Sequence, residues 1–163
     1  MTEEQLKVLK FMSEITSRID LNSFAEMVSL TPNQTIEKVQ ELVTSGMVKK
    51  TGGGYGITEK GKKVLRAITS VSEEMAFNFY TDLGKPTEFS AENIKEFYEI
   101  VKQVDANALA FHLYRGDFAN WIRGVFEDSA LADKLVSIRD TKIRGEELRK
   151  AMMDAIDAEY GFS

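Results

Sequence analysis

Cysteine is absent from the 163 residues, histidine and tryptophan occur once each, and proline occurs only twice. Without thiols there is no disulfide, no thiolate nucleophile and no cysteine-ligated zinc or iron–sulfur centre, and one imidazole cannot build a histidine-rich metal site within a single chain. No apolar run approaches the length needed to cross a bilayer, and the N-terminal MTEEQLKVLK lacks the apolar stretch of a secretory signal. The expectation is a cytoplasmic protein with no membrane partner, no metal and no cofactor. Apolar residues, by contrast, make up 43% of the chain, enough for packed cores in one large domain or two small ones. The net charge of −5 argues against indiscriminate nucleic-acid binding, but it is unevenly spread. Residues 1–70 hold ten Lys/Arg against eight Asp/Glu, whereas residues 71–163 hold eleven against eighteen.

The positive charge gathers in the stretch TPNQTIEKVQELVTSGMVKKTGGGYGITEKGKKVLR, residues 31–66. Thr31 can cap a helix, Pro32 suits its first position, and Gln34 completes a capping box. Ile36, Val39, Leu42 and Val43 then form an apolar stripe, and Gly46 supplies a left-handed terminus, which predicts a helix over 32–45. Residues 47–51 and 55–57 read as two short strands around Gly52-Gly53-Gly54, a tip that can turn tightly. Thr58 caps the next helix, predicted to run to about 71, with Val64, Leu65, Ile68 and Val71 on its apolar side. Between Lys49 and Arg66 lie six cations and one acid, enough for several phosphate contacts.

Upstream, Val8, Met12, Ile15 and Ile19 recur at helical spacing over 3–19, and the acids Glu3 and Glu4 suit the N-terminus of a helix. Residues 20–23 interrupt this helix and cap a short second one over 23–29, with Leu21, Phe24 and Val28 facing the core. The pattern resembles the winged helix-turn-helix of small prokaryotic regulators of archaeal type, including the Ile57-Thr58-Glu59-Lys60-Gly61 segment after the hairpin. That resemblance covers about residues 1–70. It implies a recognition helix over 32–45 in the major groove and a wing over 49–55 along the phosphates. Base edges would be approached by Asn33, Gln34, Thr35 and Lys38. Phosphates would be met by Lys49, Lys50, Lys60, Lys62, Lys63 and Arg66. No arginine lies on the recognition helix, and Glu37 and Glu41 would repel phosphate, so a winged helix used for protein contact is the alternative.

Past a boundary placed near 72, residues 75–81 alternate like a strand for part of their length, and 82–87 read as turn and loop. Five short helices follow. Ser90 is expected to cap the first, Asp105 the second and Asp117 the third; the fourth follows Asp128-Ser129 and the last spans about 145–160. The fold class expected is mainly α, with a winged helix-turn-helix domain over 1–71 and a compact helical sensing or association domain over 72–163.

The densest chemical text is Phe111-His112-Leu113-Tyr114-Arg115-Gly116-Asp117-Phe118-Ala119-Asn120-Trp121-Ile122. It resembles the FHxxRGDFxxWI segment of an uncharacterised domain of archaeal proteins, over about 77–138, which implies no activity. Three readings compete. In the first, Arg115 and Asp117 pair or cap at a helix corner, while His112 is hydrogen-bonded at the core edge and Trp121 fills the core. In the second, His112, Arg115, Asp117 and Trp121, with Phe77, Phe79 and Tyr80, line a site for a small anion or a partner protein. In the third, His112-x-x-Arg115-Gly116 looks like the signature of histidine phosphotransfer domains, which needs an exposed ring nitrogen. The function expected is a DNA-binding transcription regulator rather than an enzyme. Its expected partners are double-stranded DNA, a second copy in a homodimer, and a small-molecule or protein effector.

Overall fold

The computed structural model describes residues 1–15 and 17–163, and the chain divides into two compact units, Met1–Leu65 and Arg66–Ser163. The chain is mainly helical.

The N-terminal unit runs α1 (Glu3–Glu14), α2 (Leu21–Met27), α3 (Pro32–Thr44), β1 (Val48–Thr51), β2 (Gly54–Ile57) and the first turns of α4 (Glu59–Ile68). α1 stops at Glu14 with Ile15 in extended geometry, shorter than the expected 3–19, and position 16 lies outside the described residues. Among the capping candidates over 20–23, Asp20 caps α2 by accepting from the Ser23 N–H at 2.8 Å, and the helix begins two residues earlier than expected. The Thr31–Gln34 capping box is present in both directions. Gly46 ends the following turn at φ +80, and its neighbour Met47 starts the return. β1 and β2 pair antiparallel, Val48 opposite Ile57 and Lys50 opposite Tyr55.

The core of this unit is built from Leu6, Leu9, Phe24, Val28, Val39, Leu42 and Val48. The buried line on α3 is Thr35, Val39 and Leu42, whereas Ile36 is 41% and Val43 36% exposed. The line is rotated by one residue from the expected stripe because Thr35 turns its hydroxyl onto the Thr31 carbonyl at 2.9 Å, which lets a polar residue take a core position. Leu21 likewise lies exposed rather than in the core.

In the C-terminal unit the end of α4 is tied down locally, which is why the division falls before 72. The Asn93 amide donates to the Ile68 carbonyl and the Ser70 hydroxyl, and the Val71 N–H to the Glu92 carbonyl. A 3-10 turn over Glu73–Met75 leads into β3 (Phe77–Asp82), which pairs antiparallel with β4 (Lys85–Ala91). The second strand replaces the loop expected over 82–87, and the helical domain therefore carries a hairpin. Its alternation is faint: Thr87, Phe89 and Ala91 turn inward, but only the last is fully buried. Thr87 also spends its hydroxyl on the Phe79 carbonyl at 2.8 Å, where the strand register is irregular.

Five helices complete the unit: α5 (Ile94–Val101), α6 (Ala106–Arg115), α7 (Asp117–Phe126), α8 (Ser129–Asp140) and α9 (Gly145–Tyr160). Asn93, not Ser90, caps α5 through the Glu96 N–H at 2.8 Å, while Asp105 caps α6 as expected and Asp128 caps α8. Gly116, at φ +82, both ends α6 and begins α7, so Asp117 is the first helical residue instead of the cap. Phe77, Phe79, Phe97, Phe118 and Trp121 pack with ring centroids 5.0–6.3 Å apart, an aromatic core between the hairpin, α5 and α7. Tyr160, at the end of α9, donates its hydroxyl to the buried Asp128 carboxylate.

Candidate functional site

On the N-terminal unit, the first turn of α3 and the β1–β2 hairpin present the groups read as nucleic-acid contacts. Asn33 and Gln34 are exposed, although the Gln34 side chain is also engaged by the Thr31 N–H at 3.0 Å. Thr35 is fully buried and cannot reach a base edge, which corrects its place in the expected set. Lys38 is withdrawn as well. Its side chain is only 16% exposed, and its ammonium lies 3.3 Å from Glu41 and 3.6 Å from Glu4. The hydrogen bond to Glu41 holds that ammonium above the usual lysine range.

Of the six phosphate candidates, Lys60 spends its ammonium on the Ser45 carbonyl at the end of α3, at 2.8 Å. Lys62 faces Glu59 at 3.2 Å, and Lys63 is half-buried. Arg66 lies exposed on the last turn of α4. Lys49 and Lys50 are exposed on β1 and form no ion pair among the described residues. Beside the hairpin a groove of about 610 Å³ is lined by Ile15, Ile19, Leu21, Ile36, Val39 and Tyr55.

On the C-terminal unit, α6, α7 and the outer face of β3 enclose a cleft of about 500 Å³. Strand alternation sends Phe77 and Phe79 inward and Asn78 and Tyr80 outward. Phe79 is consequently fully buried and does not line the cleft, a correction to the expected set. Tyr80, His112, Arg115, Asp117 and Trp121 are brought together there as expected.

His112 is 4% exposed and both of its nitrogens are engaged. Nε2 accepts the Tyr80 backbone N–H at 2.8 Å, so Nδ1 carries the proton and donates it to Asp117 Oδ2, also at 2.8 Å. The ring therefore pins the edge of β3 to α6 in its neutral form. Burial pushes its pKa below the usual imidazole range against the pull of Asp117, with Arg115 adding to the depression. A phosphoryl group on either nitrogen would break one of these bonds, so the geometry has no place for phosphotransfer chemistry.

Arg115 Nε lies 3.2 Å from the same Asp117 oxygen, and its guanidinium stacks over the Phe111 ring at 4.8 Å. Trp121 lines the cleft while its indole N–H donates to the Met75 carbonyl at 2.7 Å. Replacing Trp121 by Phe should keep the ring packing but lose this bond, lowering stability by about 1 kcal/mol in urea denaturation.

The sequence reading missed five lining residues: Asn78, Leu83, Gly84, Phe111 and Asn120. Two had a signal. Asn78 shares the outward strand face with Tyr80, and Asn120 lies three residues after Asp117 on the same face of α7. Leu83 sits at the hairpin tip, where only the strand pairing could place it.

Neither a curated protein nor a solved structure matches the chain. A family described only as a family of unknown function, DUF5752, matches residues 74–161, more than half of the chain and nearly all of the C-terminal unit. The hairpin, the five helices and the His112–Asp117–Arg115 cleft thus lie within the matched region, and the chain belongs to the DUF5752 family.

Proposed function

We propose that the chain is a DNA-binding transcription regulator, with the N-terminal unit contacting duplex DNA and the C-terminal unit responding to a ligand or partner. The observation that supports the first part is the pair Lys49 and Lys50. Both are exposed and without ion pairs among the described residues, on a hairpin that follows a helix-turn-helix and packs against α3. In this arrangement α3 enters the major groove by its first turn, through Asn33 and Gln34, and the hairpin lies along the phosphates. Arg66 and the lysines of α4 add to the positive field rather than each holding a phosphate. No helix among the described residues is long and apolar enough to cross a membrane.

The test is a salt-titrated binding assay on genomic fragments. Replacing both Lys49 and Lys50 by Ala should weaken every duplex alike and flatten the dependence of log K on log salt by about 2. Changing Asn33 should instead alter preference between sequences, by about 1–3 kcal/mol where a bidentate base contact is lost. No binding at low salt, or indifference to the lysine changes, would favour the second reading, a protein-contact surface. That reading draws on the exposed Ile36, Leu21 and Tyr55 around the apolar groove. A regulator reading a palindromic operator also works as a two-fold dimer, and light scattering should then return twice the 18.4 kDa chain mass.

A further inference from the structure

The cleft of the C-terminal unit offers charges of both signs side by side over an aromatic floor. Asp117 Oδ2 takes both the His112 N–H and Arg115 Nε, which leaves Oδ1 without a hydrogen bond among the described residues. Arg115 is similarly half used. Its Nε faces Asp117 and its plane rests on Phe111, while its two terminal nitrogens make no hydrogen bond among the described residues and the side chain is 48% exposed. His112 is neutral and adds no charge, because both nitrogens are already engaged.

This charge pattern selects among ligands. A simple anion drawn to the guanidinium would meet the Asp117 carboxylate beside it, in a half of the chain where acids outnumber cations eighteen to eleven. A simple cation drawn to Asp117 would meet Arg115 in the same way. A ligand whose own opposite charges are one carbon apart satisfies both groups together: a carboxylate fits the paired terminal nitrogens of a guanidinium, and an ammonium fits the free carboxylate oxygen. The remaining walls include Phe111, Tyr80 and Trp121, aromatic side chains that line the cleft beside these two charges. The volume of about 500 Å³ lies within the range of small-molecule sites.

We propose that this cleft binds a free α-amino acid with an apolar or aromatic side chain, its carboxylate on Arg115, its ammonium on Asp117 and its side chain against the aromatic walls. The proposal gives the sensing half of the regulator reading a ligand class and depends on that reading only for its use. Binding is measured without DNA, so failure of the ligand and failure of DNA contact show up separately.

Trp121 is the only tryptophan and lines the site, so its emission reports occupancy in the full chain. L-phenylalanine and L-leucine should each give a saturable change. 3-Phenylpropionate, which lacks the ammonium, and 2-phenylethylamine, which lacks the carboxylate, should bind at least about tenfold more weakly, because each leaves one charge unmatched. Arg115→Gln should weaken phenylalanine by a similar factor with its urea midpoint little changed. Asp117→Asn keeps an acceptor for His112 but drops the negative charge, and should move preference toward 3-phenylpropionate. The proposal is overturned if neither amino acid gives a saturable change up to about 10 mM, past the weak end of specific binding. It is equally overturned if 3-phenylpropionate matches phenylalanine in the unaltered chain, or if Arg115→Gln and Asp117→Asn both leave the ligand order as it was.

Discussion

Replacing Gly61 by Ala should destabilise the N-terminal unit by about 3 kcal/mol, near the top of the range for overpacking a closed site. A methyl group there would lie 2.2 Å from the Met47 carbonyl oxygen and 2.8 Å from a methyl of Ile57. Neither neighbour can step aside. The Met47 carbonyl already receives the Thr58 N–H at 3.0 Å, and Thr58 Oγ1 lies within hydrogen-bonding distance of both that oxygen and the Gly61 N–H. The first turn of α4 is thus laid directly on the chain entering β1, and the missing side chain is what permits the approach. A unit of 65 residues has only a few kcal/mol in hand, so the variant should lose amide protection across α1–α3 and the hairpin. Trp121 emission, which reports on the other unit, should unfold at an unchanged urea concentration. A variant with unaltered protection in α3 would show that α4 does not depend on this contact.

Gly61 also shows what could be read from the sequence and what could not. The segment Thr58-Glu59-Lys60-Gly61 was legible as a motif following a hairpin, but the reason for its glycine is a contact with Met47, fourteen positions earlier, which no local pattern announces. Signals contained within one turn came through: the Thr31–Gln34 box, Gly46, the Asp105 cap, the start of α8 after Asp128, and α9 at 145–160. Choices between neighbouring residues of similar character did not. Ser90 and Asn93 are both good caps, and Asn93 is used because its amide also ties down Ile68 and Ser70, which leaves Ser90 within β4. On α3, apolarity pointed to Ile36 and Val43, while the fold buries Thr35 because its hydroxyl finds a partner one turn back. β4 was hidden because Pro86 and alternating polar residues look like a turn until Tyr80 is seen opposite the proline.

The candidate sites follow the same division. His112, Arg115, Asp117 and Trp121 stood out by their clustering in sequence, and the structure does bring them to one cleft. Their roles depended on the hairpin. Only with β3 in place does His112 acquire the Tyr80 N–H, and this bond turns a lone imidazole into the residue that holds strand to helix. For the recognition helix, periodicity could not tell which positions α1 would cover. Thr35 and Lys38 were lost to burial and to Glu4 and Glu41, and the exposed hairpin lysines became the stronger part of the DNA reading.

The His112–Tyr80 bond carries the other large effect, and it depends on pH. Replacement of His112 by Ala should cost about 1–3 kcal/mol at pH 7.5, since it leaves the part-buried Tyr80 N–H without its acceptor and opens space beside Phe77 and Phe118. The sign of the pH dependence follows from the direction of the shift. Burial lowers the ring's folded pKa below 6.5, so the unfolded chain takes up the proton first. The stabilisation from neutral His112 is then complete above about pH 6.5, and it is lost as the pH falls through that value toward the folded pKa. A proton on Nε2 would also set two donors face to face across the Tyr80 bond. The stability gap between the unaltered protein and His112→Ala, measured by urea denaturation, should accordingly be wider at pH 7.5 than at pH 5. If the pair with Asp117 dominated instead, the ring would ionise more readily in the folded state and the gap would widen on acidification. That result would overturn the assignment of His112 as a neutral clasp between α6 and β3.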